Sequence, residues 1–126
     1  MRWLIHGPTT TPAVAAALVR HGHKVVSPTD AGLADPDAAP GDVLDAAHKA
    51  QLDVLTTDPT VADAPFQEAA DTKFGRTLVY LQLEGGDVEQ DDAVDRLFDR
   101  YKRLAPGRVY TVTGTRVKIR QLPGIK

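Results

Sequence analysis

Leu52 to Asp58, Leu-Asp-Val-Leu-Thr-Thr-Asp, is a short apolar, β-prone run that stops at a carboxylate just before Pro59. In open α/β sheets, ligands and metals bind at the carboxyl ends of strands, so Asp58 is the first candidate for chemistry. The competing role is an Asx turn or helix N-cap, which Asp before Pro also suits. The first apolar run, Arg2 to Ile5, ends instead at His6. Neutral imidazole is a poor Mg2+ ligand but suits Zn, Ni, Cu or Fe. His6 therefore either joins a transition-metal set or hydrogen-bonds Asp58, and that pairing would raise its pKa. Thr9, Thr10 and Thr11 precede a helix start, where backbone N–H groups favour anions and where capping is the alternative role. Arg116, Lys118 and Arg120 alternate along one face of a terminal strand. They either track a phosphate backbone or protect an edge strand from aggregation. His21 and His23 flank Gly22 at a helix end, and His48 lies on a second helix; all three are expected at the solvent surface.

Composition removes several alternatives. The chain has no cysteine, so a disulfide framework, a thiol nucleophile and a zinc-thiolate site are ruled out, which fits a cytoplasmic location. No Walker-type loop, dinucleotide fingerprint or nucleophile elbow is present; Gly85-Gly86 follows a strand but reads as a turn. The apolar tripeptide Trp3-Leu4-Ile5 is too short for a signal peptide or a membrane span, so no membrane partner is expected. The net charge of −2 hides an asymmetry. Residues 1–95 carry 6 Lys and Arg against 16 Asp and Glu, and residues 96–126 carry 9 against Asp99 alone. Either a basic helix and hairpin pack beside an acidic body, or the basic end forms a surface for an acidic partner.

These side chains need a scaffold, and the patterning supplies one. With 126 residues the chain suits a single domain with its own core. Arg2 to Ile5 reads as a buried strand. Thr11-Pro12 starts a helix through Arg20, which Gly22 closes in a left-handed C-cap. Lys24 to Val26 is a second strand, and the helix between the two implies a parallel crossover. Ser27 to Pro40 reads as a loop. Gly41 or Asp42 starts a second helix to about Ala50, with Val43, Leu44, Ala47 and Ala50 on one face. Leu52 to Leu55 is the third strand, Pro59 to about Ala64 a short helical turn, and Pro65 to Arg76 irregular or weakly helical. Thr77 to Leu83 is the clearest strand. A helix capped by Asp91 or Asp92 runs to Leu104, and Pro106-Gly107 breaks it. Arg108 to Thr113 and Thr115 to Leu122 flank Gly114 as a β-hairpin.

This order, with these residues, resembles the PIN-like domain family, in its small branch related to bacterial toxin nucleases. The matching segments are Trp3-Leu4-Ile5-His6, Gly22-His23-Lys24-Val25-Val26, Asp42 to Ala47, Val54 to Val61 and the tail Gly114 to Arg120. The resemblance covers nearly the whole chain. It implies an α/β fold of three layers, with a mainly parallel central sheet and a C-terminal β-hairpin, over residues 1–126. It also implies a metal-dependent endoribonuclease, the toxin of a toxin–antitoxin pair, with RNA and an antitoxin-like protein as partners; a homodimer is a separate expectation.

Such nucleases gather several carboxylates around Mg2+ or Mn2+, hard cations that prefer oxygen ligands. The metal activates water and steadies charge on the phosphodiester. On this chain the implied metal ligands are Asp58 and Asp42, with His6 as the third catalytic candidate. Arg116, Lys118 and Arg120 are the nucleic-acid-binding candidates. Where the family's first strand ends in Asp-Glu-Asn, this chain has His6-Gly7-Pro8, and the second Asp of its Thr-x-Asp-x-Asp motif is Thr60. The expectation is a catalytically degenerate PIN-like domain that acts by binding nucleic acid or protein. The alternatives are an active ribonuclease using Asp58 and Asp42, and a structural subunit that self-associates through sheet edges or the C-terminal helix.

Overall fold

The computed structural model describes residues 1–7, 9–33, 38–67 and 74–122. Pro8 and parts of the stretches expected as loops over 27–40 and 65–76 lie outside the described residues. The strands are β1 (Arg2–His6), β2 (Lys24–Val26), β3 (Asp53–Thr56), β4 (Leu78–Leu81), β5 (Arg108–Val112) and β6 (Val117–Gln121). The helices are α1 (Pro12–Arg20), α2 (Pro40–Lys49), α3 (Pro59–Asp63) and α4 (Asp87–Arg100), with a single 3-10 turn at Ala64–Phe66.

The strands form one six-stranded sheet in the order β2-β1-β3-β4-β5-β6. All neighbours are parallel except the antiparallel β5–β6 pair. Successive side chains on a strand point to opposite faces, and each face has its own core. On one, Trp3, Leu55, Val79 and Tyr110 pack with Val14 and Leu18 of α1 and Val94 and Leu97 of α4. On the other, Leu4, Val54, Leu78 and Val109 pack with Val43 and Leu44 of α2 and Val61 of α3. The molecule is therefore a three-layer α/β fold with a mainly parallel sheet and a C-terminal hairpin, as expected. Among the described residues no helix is long and apolar enough to cross a membrane.

Both ends of α4 and of β4 differ from expectation. Helix α4 starts at Asp87, four residues before Asp91. Glu89 reaches back so that Oε2 accepts the Gly86 N–H at 2.9 Å, the half of a capping box that a Glu at N3 supplies. The helix ends at Arg100, and Tyr101 is extended. Leu104 is still buried, but it packs from the segment after the helix rather than from its last turn. Strand β4 is Leu78–Leu81 rather than Thr77 to Leu83. Gly22 closes α1 at φ +84°, the left-handed cap expected of it.

Candidate functional site

Strand β1 pairs with β2 on one side and β3 on the other. The chain thus changes direction across the sheet at the β1–β3 boundary, the kind of crevice where open α/β sheets bind ligands. His6 and Thr56 are register partners at that boundary. Nδ1 of His6 lies 3.1 Å from Oγ1 of Thr56, and the same oxygen accepts the Asp58 N–H at 3.0 Å. The Thr56 hydroxyl proton can then point at a neutral imidazole. Burial pushes the His6 pKa down, and the nearby Asp58 charge opposes that only in part. The expected His6–Asp58 hydrogen bond, with its raised pKa, is therefore corrected: Thr56 takes the imidazole, and desolvation outweighs the carboxylate.

Asp58 is the N-cap of α3. Its Oδ1 accepts the Thr60 N–H at 2.9 Å and the Thr60 hydroxyl at 2.7 Å. Thr60, where the resembled motif has an acid, is instead the partner that occupies Asp58. Asp42 is exposed in the first turn of α2. It lines a different groove, with Ala31, Leu33, Asp45 and Lys49, in which His6 and Asp58 take no part. Among the described residues no group of three or more His, Asp or Glu side chains is arranged to hold a metal ion. Mg2+ or Mn2+ asks for an oxygen-rich shell. At the β1–β3 strand ends the described residues offer an imidazole held neutral by burial, the Asp58 carboxylate already engaged by Thr60, and hydroxyls. That donor set does not fit such a cation.

The loop after β1 is locked to the loop after β3 by hydroxyls. Thr9 Oγ1 donates to Thr57 Oγ1 at 2.9 Å, Thr57 and Thr10 share a bond of 2.9 Å, and Thr10 Oγ1 donates to the His6 carbonyl at 2.8 Å. Thr11 occupies the N-cap position of α1 but makes no side-chain cap. Its N–H goes at 2.9 Å to Oε1 of Gln90, a buried residue of α4 whose Nε2 donates to the Thr9 carbonyl at 2.8 Å. The threonines thus serve as interloop ties rather than as helix caps. Gln90 lies on the buried face of α4, but a helix start at Asp91 or Asp92 leaves it outside the expected helix, so no sequence signal marks it.

His21 and His23 are not the surface pair expected of them. His21 Nε2 meets Asp95 Oδ1 at 2.7 Å. His23 accepts the Trp3 indole N–H at 3.3 Å and lies 4.5 Å from the Phe98 ring centroid. Burial lowers the His23 pKa. His48 is exposed, as expected, with Nδ1 accepting the Gly75 N–H at 3.2 Å.

Lys118 and Arg120 share one face of β6, opposite Thr111 and Val109. The Arg120 guanidinium sits 3.7 Å from the centre of the Phe66 ring, a cation–π stack. Arg116 is exposed in the turn before β6. That turn is held from below: Arg96 of α4 donates to the carbonyls of Gly114 and Thr113 at 2.5 and 2.9 Å. Beside this hairpin a groove at the strand ends is lined by Thr57, Tyr80, Gln82, Glu84, Thr113 and Lys118, among others. Burial raises the Tyr80 pKa, with the charges of Asp63 and Asp58 adding to it, so the phenol stays protonated. Tyr80 was not a sequence candidate, because an aromatic in a strand reads as core.

Set against models of known protein families, curated proteins and solved structures, the chain matches none of them.

Proposed function

We propose that this chain is a PIN-like domain with a degenerate acidic site, which binds single-stranded RNA without cutting it. The observation that carries the reading is the contrast between the two ends of the rim. At the β1–β3 crevice the carboxylate that remains, Asp58, is engaged by Thr60 and faces a neutral imidazole. At the hairpin, Arg116, Lys118 and Arg120 present cations along β6 beside an open groove. Phosphodiester hydrolysis by a hard metal needs the first end to be rich in carboxylates. Backbone binding needs only the second.

The test pairs binding with cleavage. The wild-type protein should bind a fluorescein-labelled single-stranded RNA with an affinity that falls steeply with salt. Neutralising Arg116, Lys118 and Arg120 together should remove most of that dependence. The RNA should stay intact in Mn2+ or Mg2+. Specific cleavage that disappears in Asp58→Ala would replace the binding reading with an active ribonuclease.

A further inference from the structure

The sheet carries a feature that packing does not require. His6, Thr56, Tyr80, Thr111 and Lys118 are consecutive register partners on β1, β3, β4, β5 and β6. They form one polar row across five strands, on the α2–α3 face. Two residues away on each strand runs the row Leu4, Val54, Leu78, Val109 and Arg120, apolar until its last member. Strands of a parallel sheet covered on both faces are ordinarily apolar along their length. Here the apolar row is followed by one in which every side chain can donate or accept a hydrogen bond. It lies at the carboxyl ends of the parallel strands, and two of its members, Tyr80 and Lys118, line the groove that runs from Thr57 to Lys118.

Charge in the groove is mixed, with Glu84 and Lys118 both in its lining. Asp58 and Asp63 act on the Tyr80 phenol. Lys118 is exposed at the β6 end, with Arg116 one turn residue away and Arg120 on the same strand face. A ligand that fits has an anionic group toward β6, a flat face for the Tyr80 ring, and N–H donors toward the two acids. A nucleotide meets all three conditions, whereas a bare phosphate meets only the first.

We infer that the Tyr80–Lys118 end of this row forms a cleft for one nucleotide of a bound RNA strand, its base against Tyr80 and its phosphate at Lys118. The inference rests on the RNA-binding reading above and adds where the strand enters the molecule. The strand follows the basic face of β6, and one base turns inward over the row. Thr111, the register partner of both Tyr80 and Lys118, offers its hydroxyl to the sugar.

Fluorescence anisotropy with a short fluorescein-labelled single-stranded RNA tests this. Tyr80→Leu should weaken binding about tenfold, the loss expected for one base stack, and Tyr80→Phe should keep most of the affinity. Thr111→Val, which preserves side-chain shape, should also weaken binding and covers the case in which Tyr80→Leu folds poorly. Arg103→Ala, an exposed cation off the row, is the control. An RNA of abasic nucleotides should bind wild type and Tyr80→Leu alike. If Tyr80→Leu and Thr111→Val bind like wild type while loss of Arg116, Lys118 and Arg120 abolishes binding, the cleft is overturned and the RNA reading stands. If the wild type shows no salt-dependent RNA binding, both are overturned.

Discussion

The backbone of Gly7 passes so close to the Thr57 hydroxyl that no side chain fits between them. A Cβ at Gly7 would overlap Thr57 Oγ1 and stand 2.8 Å from Thr10 Oγ1, and its φ is +121°. The two loops that frame the β1–β3 crevice therefore touch through backbone on one side and hydroxyls on the other.

Gly7→Ala should destabilise the fold by about 1–3 kcal/mol from backbone strain alone, and by more from the overlap. Gly22→Ala, at a left-handed position with open space around it, should cost less. Urea denaturation of both variants checks the order. Equal losses would mean that the Gly7–Thr57 contact is looser than described.

His6 should titrate below its ordinary range, because burial disfavours the imidazolium more than Asp58 favours it. Asp58→Asn keeps an acceptor for the Thr60 N–H but removes the charge, so the His6 pKa should fall further. Asp58→Ala also loses the cap of α3, a loss of about 1 kcal/mol. NMR titration of the His6 ring protons reads both variants. An unchanged His6 pKa in Asp58→Asn would sink the assignment.

Asp53 is a buried acid at the other end of the sheet. Its Oδ1 accepts the Thr77 N–H at 3.0 Å and lies 3.5 Å from Nε of Arg76. Burial raises its pKa, with Thr77 and Arg76 opposing. A raised folded-state pKa favours the native state while the group is protonated. That advantage is present in full below the unfolded carboxyl value and is lost as pH rises through the folded one. Asp53→Asn should therefore gain stability relative to wild type on going from acid to neutral pH. Asp53→Ala should lose about 1–3 kcal/mol by stranding the Thr77 N–H. Denaturation curves across that range distinguish the two.

Arg96 holds the hairpin turn by its two carbonyl contacts. Arg96→Ala should cost about 1–2 kcal/mol, and amide exchange should accelerate at Thr113, Thr115 and Arg116. Protection that stays as in wild type would show that the turn holds itself.

Because the strand-end donors do not fit a hard cation, EDTA and millimolar Mn2+ or Mg2+ should leave the melting temperature unchanged. A rise with Mn2+ concentration would reveal a site that binds the native state.

The architecture was legible because it rests on periodicity. Apolar runs of strand length alternate with helix-length patterns, and Pro12, Pro59 and Gly22 mark ends that local chemistry enforces. The site was legible only in part. Asp58 and His6 stand at strand ends, but which group pairs with which depends on strand register. That register brings Thr56 to His6 across 50 residues, and no local signal encodes it. Thr60 read as a missing acid, yet it is the residue that occupies Asp58. The polar row could not be seen, since its five members are spread along the chain from His6 to Lys118, and only those two stand out singly. Helix α4 was misplaced because Asp91 and Asp92 are stronger N-cap residues by type than Gly86, while the side chain that sets the start is Glu89.

The strand order also governs how the molecule can reach this state. Strand β1 lies inside the sheet, and Leu4 is paired with both Val26 and Val54. Of the sheet pairings, only β5–β6 closes through a tight local turn. The others wait on crossovers, so loop-closure entropy is met before the contacts repay it, and folding on this topology is slow for its size. Until Val54 arrives, Trp3, Leu4 and Ile5 form an apolar strand with an open hydrogen-bonding edge. That segment is where a second, partly folded copy would pair in error, so misassembly should rise with concentration during refolding even though the finished sheet hides it.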